Sequence, residues 1–296
     1  MAVAATGFFD GVHLGHRQII ETTCSLAREE ATESMVVSFW PHPRNVLQQD
    51  ADTFRLLTSL DEKKDLCRSL GVDRFEVLPF SRDFSQMPAE RFIKEYLVDR
   101  FGVTSLVVGY DHRLGHDAFD TREDMMEAIA SCGVTPVPVD EFRIGEGSVS
   151  STAIRRALED GRLKDAEQML GYRYRLHGVV VAGDRIGRTI GFPTANMQLY
   201  DPLKLIPCNG VYVVEVEVLG RKQYGICNVG TRPTVSTGMV RGIEVNILDF
   251  NENIYGLEMK VWFVERLRDE RKFASLDLLK EQLHIDKAKA INIIGK

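Results

Sequence analysis

No two of the five cysteines, Cys24, Cys67, Cys132, Cys208 and Cys227, stand in a CxxC pair, and their total is odd. Scattered single thiols of this kind argue against a disulfide framework and fit reduced, structural cysteines. No apolar run approaches the ~20 residues that a membrane helix needs, and the N-terminus lacks the charged-then-apolar pattern of a signal peptide. Long basic runs are absent too, and the formal net charge is -6. A surface built to displace counterions from nucleic-acid phosphates would carry the opposite sign. The expectation is a cytoplasmic protein with no nucleic acid and no membrane as partner. What remains, 296 residues of which 44% are hydrophobic and 27% charged, is a globular chain with room for about two domains.

The first half alternates apolar runs at residues 3–6, 35–39, 74–78, 105–109 and 134–139 with amphipathic stretches at 17–31, 60–70, 89–101 and 122–131. That rhythm predicts an α/β domain, a parallel sheet with covering helices. Ligands on such sheets bind beyond the carboxyl ends of the strands, so "FFDGVHLGH", "FWPHP" and "GYDHRLG" would share one edge. A short helical stretch at 151–170 follows, with a domain boundary near 170–174. Beyond it the runs at 175–182, 210–219, 224–229, 243–249 and 257–265 follow one another without helices between them. They predict an antiparallel sheet or small barrel, closed by a final helix from 276 to about 291 that packs on the outside. Internal repeats and low-complexity linkers are absent.

The stretch "GFFDGVHLGHRQII", residues 7–20, reads as strand, glycine turn, helix. His13 and His16, with Gly11 and Gly15 around them, fall where a helix begins. Free N–H groups and the helix dipole attract anions there, and donor imidazoles add hydrogen bonds to a phosphate. Metal binding lacks a third ligand at a recognisable spacing. Asp10 fits a turn former as well as an active role.

In "SVSSTAIRRAL", residues 148–158, Ser150, Ser151 or Thr152 would cap the next helix whatever the function. The same hydroxyls with Arg155 also suit the outer phosphates of a nucleotide. The third stretch, "GDRIGRTIGFPTAN", carries Gly183, Gly187 and Gly191 at intervals of four. It is neither a Walker loop nor a GxGxxG fingerprint. It reads either as a glycine hairpin or as a flap whose amides cover phosphates. Thr194 and Asn196 offer the hard oxygen ligands that Mg²⁺ prefers beside phosphates. Glu244, between the apolar Ile243 and Val245, reads on the residues alone as a solvent-facing strand glutamate.

Taken together these segments resemble the bacterial bifunctional riboflavin kinase/FAD synthetase family over nearly the whole chain. "FDGVHLGH" and "SSTAIR" match its Rossmann-like nucleotidyltransferase module, expected over residues 1–170. "GDRIGRTIGFPTAN", "NVGTRPT", "EVNILDF" and "LRDERKF" match its riboflavin kinase module, expected as an all-β barrel with a C-terminal helix over 171–296. Two independent motif sets in the right order are far more specific than either alone. The resemblance implies two ATP reactions, riboflavin to FMN and then FMN to FAD with release of pyrophosphate. It places Phe9, Asp10, Gly11, His13, Gly15, His16, Asp111, Ser151, Thr152 and Arg155 around the ATP that is adenylyl donor, with His13 and His16 stabilising charge on the α-phosphate. It places Gly183, Gly187, Gly191, Thr194 and Asn196 around the ATP of the kinase, with Mg²⁺ held by Thr194 and Asn196. Glu244 becomes the base for the riboflavin 5′-hydroxyl, and Arg232, Arg271 and Phe273 become flavin contacts.

The chain departs from the family pattern in three places. His112 and Leu114 stand where an aromatic is usual, Asn246 replaces a histidine, and the segment before the first strand is shorter, which would leave the sheet without an edge element. Two rival readings are a flavin-binding carrier with a dead first module and a nucleotidyltransferase for another phosphorylated substrate. The intact histidine and "SSTAIR" motifs argue against the first, and "GFPTAN" in the β half argues against the second.

Overall fold

The computed structural model describes residues 1–47, 53–116, 119–145, 147–183, 187, 190–234 and 238–295, without the side chains of 232–234 and 238–240. Contacts divide the chain into two compact units, Met1–Ser151 and Thr152–Lys296.

The first unit is built on β1 (Ala2–Thr6), whose residues are all buried. Small apolar side chains suit a central parallel strand covered on both faces. β2 (Glu33–Trp40), β3 (Arg74–Pro79), β4 (Val103–Val108) and β5 (Thr135–Pro138) complete a parallel sheet of order β3-β2-β1-β4-β5. The period of two sorts the strand residues between two cores. Val3, Ala5, Val36 and Val107 face one side with Ile20, Cys24 and Ala27 of α1 (Leu14–Glu29). Ala2, Ala4, Met35 and Leu106 face the other with Phe92 of α5 (Ala89–Phe92) and Ile129 of α6 (Arg122–Ser131). Short α2 (Pro43–Leu47) and α4 (Arg82–Ser85) follow β2 and β3. α3 (Leu60–Ser69) starts at a capping box in which Ser59 and Glu62 satisfy each other's backbone amides.

The expected helix over 89–101 is α5 followed by a π-helical stretch, Ile93–Arg100. Apolar spacing cannot tell the wider i→i+5 register from an α-helix over so short a run. The strands run outward from β1 in both directions, β2 and β3 on one side and β4 and β5 on the other. The crevice between the carboxyl ends of β1 and β4 is the switch point at which such sheets bind ligands. A small hairpin, β6 (Arg143–Ile144) with β7 (Gly147–Ser148), ends the unit.

The division falls after the first residue of α7 (Ser151–Glu159), and α8 (Leu163–Leu170) follows it past a break at Gly161, whose φ is +75°. The strands β8 (Arg175–Val181), β9 (Ala195–Leu199), β10 (Gly210–Val218), β11 (Arg221–Thr234), β12 (Gly238–Ile247) and β13 (Glu258–Arg268) form a closed barrel of order β10-β11-β12-β9-β8-β13. Closure removes the exposed strand edges. β9 is a strand that the sequence reading took for part of the glycine flap. Its five residues are too few for periodicity to stand out, and its buried positions are only Ala195 and Met197.

Val211 and Val213 of β10 and Ile226 of β11 pack against Ala290 of α9 (Leu276–Ile294), while Tyr212 between them turns the other way, edge-on to Phe263. A hydrogen-bonded carboxylate clamps the same helix. Arg268 donates to both oxygens of fully buried Asp286 at 2.7–3.1 Å.

Candidate active sites

In the first unit the chain leaves β1 at Thr6 and reaches α1 through a loop that few sequences tolerate. Gly11 has φ +82°, and Phe9 and Val12 lie at +51° and +38°. A buried β-branched residue in that region is strained, and strain of this kind collects at functional loops. The loop is tied down from a distance of 47 residues. The amides of Leu57 and Thr58 donate to the Asp10 carboxylate at 3.0 Å, and the Thr58 hydroxyl donates to it at 3.2 Å. The same hydroxyl accepts from the Gly11 amide at 3.0 Å. Ser151 adds a further tie by donating its hydroxyl to the Asp10 carbonyl at 2.8 Å. Asp10 and Gly11 therefore spend these groups on shaping the loop.

What the loop presents is the start of α1. His13 is its N-cap and accepts the His16 amide on Nδ1 at 3.3 Å. The two imidazoles stack with centroids 3.6 Å apart, and Phe9 meets His16 edge-on. The first turn carries no acidic residue to compete with an anion for the helix dipole. Burial, and then the neighbouring His13 and Lys63, hold the His16 imidazole well below the usual histidine range. At neutral pH it is an uncharged hydrogen-bond donor.

His16 opens onto a cavity of about 500 Å³ that Phe9, Asp111 and His112 also line. Its far wall is aromatic. Phe39, Phe80, Phe84 and Phe92 touch one another with centroids 5.8–6.2 Å apart, an apolar slot suited to a flat ring system. His112, in place of the usual aromatic, joins the end of β4 to that of β1 through Thr6 Oγ1 at 3.1 Å. Burial pushes its pKa down to about 4 against the pull of Asp111. Gly15 faces the His13 ring, where an added Cβ would be in ordinary contact at 3.4 Å. Thr152, exposed, and Arg155, half-buried, lie on α7 in the second compact unit.

The barrel builds its site from strand register. Glu244 on β12 is paired with Asn228 on β11 and with Asn196 on β9, so three polar side chains form one row. Thr194 donates its hydroxyl to the Glu244 carboxylate at 3.3 Å. Glu244 is half-buried and lines a cavity of about 320 Å³ together with Gly187, Thr194, Asn196, Asn228, Arg271 and Phe273. A second cavity of about 190 Å³, between Gly183 and the Phe250–Tyr255 loop, shares Thr194 and Asn196 with the first. Two substrates placed in the two hollows would meet at those residues.

The glycines have separate reasons. A Cβ on Gly183 would lie 2.3 Å from the Asn196 amide, one on Gly187 would lie 2.2 Å from the Phe192 carbonyl, and Gly191 sits at φ +83°. Arg271 bonds Gln282 of α9, which bonds Asp286 in turn, and Arg268 and Arg271 both stand within 6 Å of the Phe273 ring. Asn246 donates to the Pro193 carbonyl at 2.7 Å, so this replacement pins the start of the Thr194 segment. The side chain of Arg232 lies outside the described residues.

Among the described residues, no three His, Cys, Asp or Glu side chains gather as a metal site. Burial raises the Cys24, Cys67 and Cys227 thiols, which removes them as nucleophiles at neutral pH. No described helix is long and apolar enough to cross a membrane. Sequence reasoning did not find the aromatic wall, Lys63 or the Arg268–Asp286 clamp. The phenylalanines come from four separate segments, and the other three are charged residues, which pattern reading assigns to the surface.

A parallel-sheet unit with donor imidazoles at a helix start, joined to a barrel with a carboxylate between two hollows, defines a two-module enzyme of nucleotidyl and phosphoryl transfer. Comparison with known proteins specifies the family. Residues 1–153 match the FAD synthetase family and residues 170–294 the riboflavin kinase family. The chain is 37% identical to the bifunctional riboflavin kinase/FMN adenylyltransferase of Bacillus subtilis, covering 98% of this chain and 92% of that protein. It is 38% identical to the Escherichia coli K12 enzyme of the same name, covering 99% and 93%. A crystal structure described as a macrolide-efflux protein from Streptococcus pneumoniae superposes with a TM-score of 0.91 at 34% identity, covering 98% of this chain and 94% of that one. The chain belongs to the bifunctional riboflavin kinase/FMN adenylyltransferase family.

Proposed function

We propose that the chain makes FAD from riboflavin in two steps, with phosphorylation in the barrel module, residues 171–296, and adenylylation in the module of residues 1–170. The observation that carries this reading is that Glu244 stands at Thr194 and Asn196, where two barrel hollows meet. Riboflavin fits the larger hollow, against Phe273 and Arg271, and the ATP phosphates reach Thr194 and Asn196 from the smaller one. Thr194 gives its proton to Glu244, so its lone pairs face outward. With the Asn196 amide oxygen they form an oxygen-only donor set that fits Mg²⁺. Bound there, Mg²⁺ would neutralise phosphate charge. Glu244 accepts the proton of the riboflavin 5′-hydroxyl as its oxygen bonds the γ-phosphorus and ADP departs. Gly183 and Gly187 let the backbone close over the phosphates, and Arg271 and Phe273 orient the flavin.

In the first module the FMN phosphate oxygen attacks the α-phosphorus of a second ATP, and the bond to the β-phosphate bridge breaks to release pyrophosphate. His13 and His16 donate hydrogen bonds to the α-phosphate as its charge grows, while Phe9, Gly11, Gly15 and Asp10 shape the turn that holds them. The aromatic slot takes the flavin ring. Ser151, Thr152 and Arg155 hold the outer phosphates, and Asp111 borders the nucleotide. The scattered thiols suit the reducing cytoplasm, where we place the protein.

The test is incubation of the purified protein with riboflavin, ATP and Mg²⁺, followed by chromatography of the flavins. FMN and then FAD are expected. A mixture that yields no FMN refutes the kinase assignment, and one in which FMN accumulates without FAD refutes the adenylylation assignment.

A further inference from the structure

Lys63 lies on the first turn of α3, 1% exposed. Its ammonium stands 3.5 Å from the centroid of the Phe8 ring and has no hydrogen-bond partner among the described residues. Asp10, the carboxylate whose charge favours the ammonium, gives its oxygens to the Leu57 and Thr58 donors. A buried ammonium without an acceptor is among the costliest groups a fold can keep, and apolar replacements of similar volume are often neutral or stabilising. Stability does not explain this lysine.

Its neighbours do. Phe8, on whose face the ammonium rests, lines the same cavity as His16, and His16 Nδ1 is likewise buried without a partner among the described residues. The groups that share an electrostatic environment with Lys63 are Asp10 on the loop, His16 on α1 and Cys67 on α3, with His13 stacked on His16. Burial lowers the Lys63 pKa to about 8 while Asp10 sustains the charge, so the ammonium persists at neutral pH. It is a fixed cation behind the turn that meets phosphate. Preorganised charge in a water-poor site acts on developing anionic charge without reorganisation at the moment of reaction.

We propose that Lys63 is a positioning residue for adenylyl transfer, a buried cation that acts through Phe8 and His16 to keep the start of α1 electropositive toward the reacting α-phosphate. The inference rests on the reading that His13 and His16 receive that phosphate.

The experiment compares full-length Lys63→Met and Lys63→Arg with the parent protein in both reactions. Riboflavin phosphorylation by the same polypeptide serves as the internal control. For Lys63→Met, kcat for FAD formation falls about 10- to 100-fold. KM for FMN and for ATP stays within about threefold, since the charge acts on the transition state. FMN formation is unchanged, and the melting temperature of the first unit does not fall. Lys63→Arg restores kcat to within about fivefold of the parent, because the charge is kept although the head-group shape is not.

A Lys63→Met protein that makes FAD at the parental rate overturns the proposal. So do two variants that lose melting temperature and FAD formation together, because Lys63 is then only a folding residue. His16→Ala separates the underlying reading. If it leaves FAD formation intact, the site assignment fails; if it abolishes FAD formation while Lys63→Met does not, only the Lys63 proposal falls.

Discussion

The two sites reach similar chemistry by different construction. In the barrel, Asn228, Glu244 and Asn196 are aligned by strand pairing, and the backbone that carries them is the fold itself. In the sheet unit, His13 and His16 sit at the start of α1, which the chain reaches through a loop pulled through positive φ at Phe9, Gly11 and Val12 and anchored by Leu57, Thr58 and Ser151. A site made by register is lost when a side chain in the row is changed or displaced. A site made on a loop is also lost when an anchor far away in sequence is cut.

The sharpest way to break the comparison is to remove the reacting groups one unit at a time. Glu244→Ala lowers riboflavin phosphorylation by about 10³-fold or more. FAD formation from supplied FMN stays within about twofold of the parent, because the Glu244 row contributes nothing to adenylyl transfer. His16→Ala does the reverse, costing about 10²- to 10³-fold in FAD formation, the usual loss for one donor to a developing oxyanion. Separate assays with riboflavin and with FMN read both variants. Equal damage to both reactions by either substitution would sink the two-site assignment.

Next in size is Gly183→Val. Its Cβ would fall 2.3 Å from the Asn196 amide nitrogen and 2.8 Å from the amide oxygen, so Asn196 must leave the row. A displacement near 1 Å in a positioning group costs about 10²-fold, here expected in phosphorylation alone. Asp10→Ala tests the other construction, leaving the buried Leu57 and Thr58 donors without their acceptor, a loss of about 2–4 kcal/mol. Each unit carries one of the two tryptophans, Trp40 in β2 and Trp262 in β13. Denaturant unfolding followed by Trp40 in a Trp262→Phe background should shift, and unfolding followed by Trp262 in a Trp40→Phe background should not.

The same contrast explains what the sequence revealed. Alternation of apolar runs with amphipathic stretches was enough for the parallel sheet, because β1, β2 and β4 are buried on both faces and bounded by helices with plain periodicity. The barrel as a class was legible from its run of strands without helices, but β9 was not, since Ala195–Leu199 is short and follows glycines that mark a turn in any β protein. At Glu244 the residues alone favoured a solvent-facing strand position, and only the pairing with Asn196 and Asn228 shows a half-buried row. Lys63 was invisible for a related reason. Within "LDEKKDLCRS" it is one of two adjacent lysines, and nothing in the spacing tells that this one turns onto Phe8 while Lys64 does not.

The smallest effect concerns acid. His112 in the first unit has a pKa near 4 when folded, against about 6.5 for a free imidazole. Between those values the unfolded chain binds a proton that the folded chain refuses, so stability falls as pH drops below about 6.5 and goes on falling to about 4. His16 pulls in the same direction, its own affinity being lowered by burial. In the barrel the His177 hydrogen bond holds the Glu258 carboxyl below the usual carboxylate range. That contribution is complete above the ordinary glutamate pKa and is lost only as pH falls through the lower folded value. Between pH 7.5 and 5.5 the Trp40-reported midpoint should therefore drop while the Trp262-reported midpoint holds. His112→Phe, which keeps an aromatic at the end of β4 and removes the titrating ring, should flatten the first of these curves. A Trp40 midpoint that falls as steeply in His112→Phe as in the parent would assign the acid sensitivity to His16 alone.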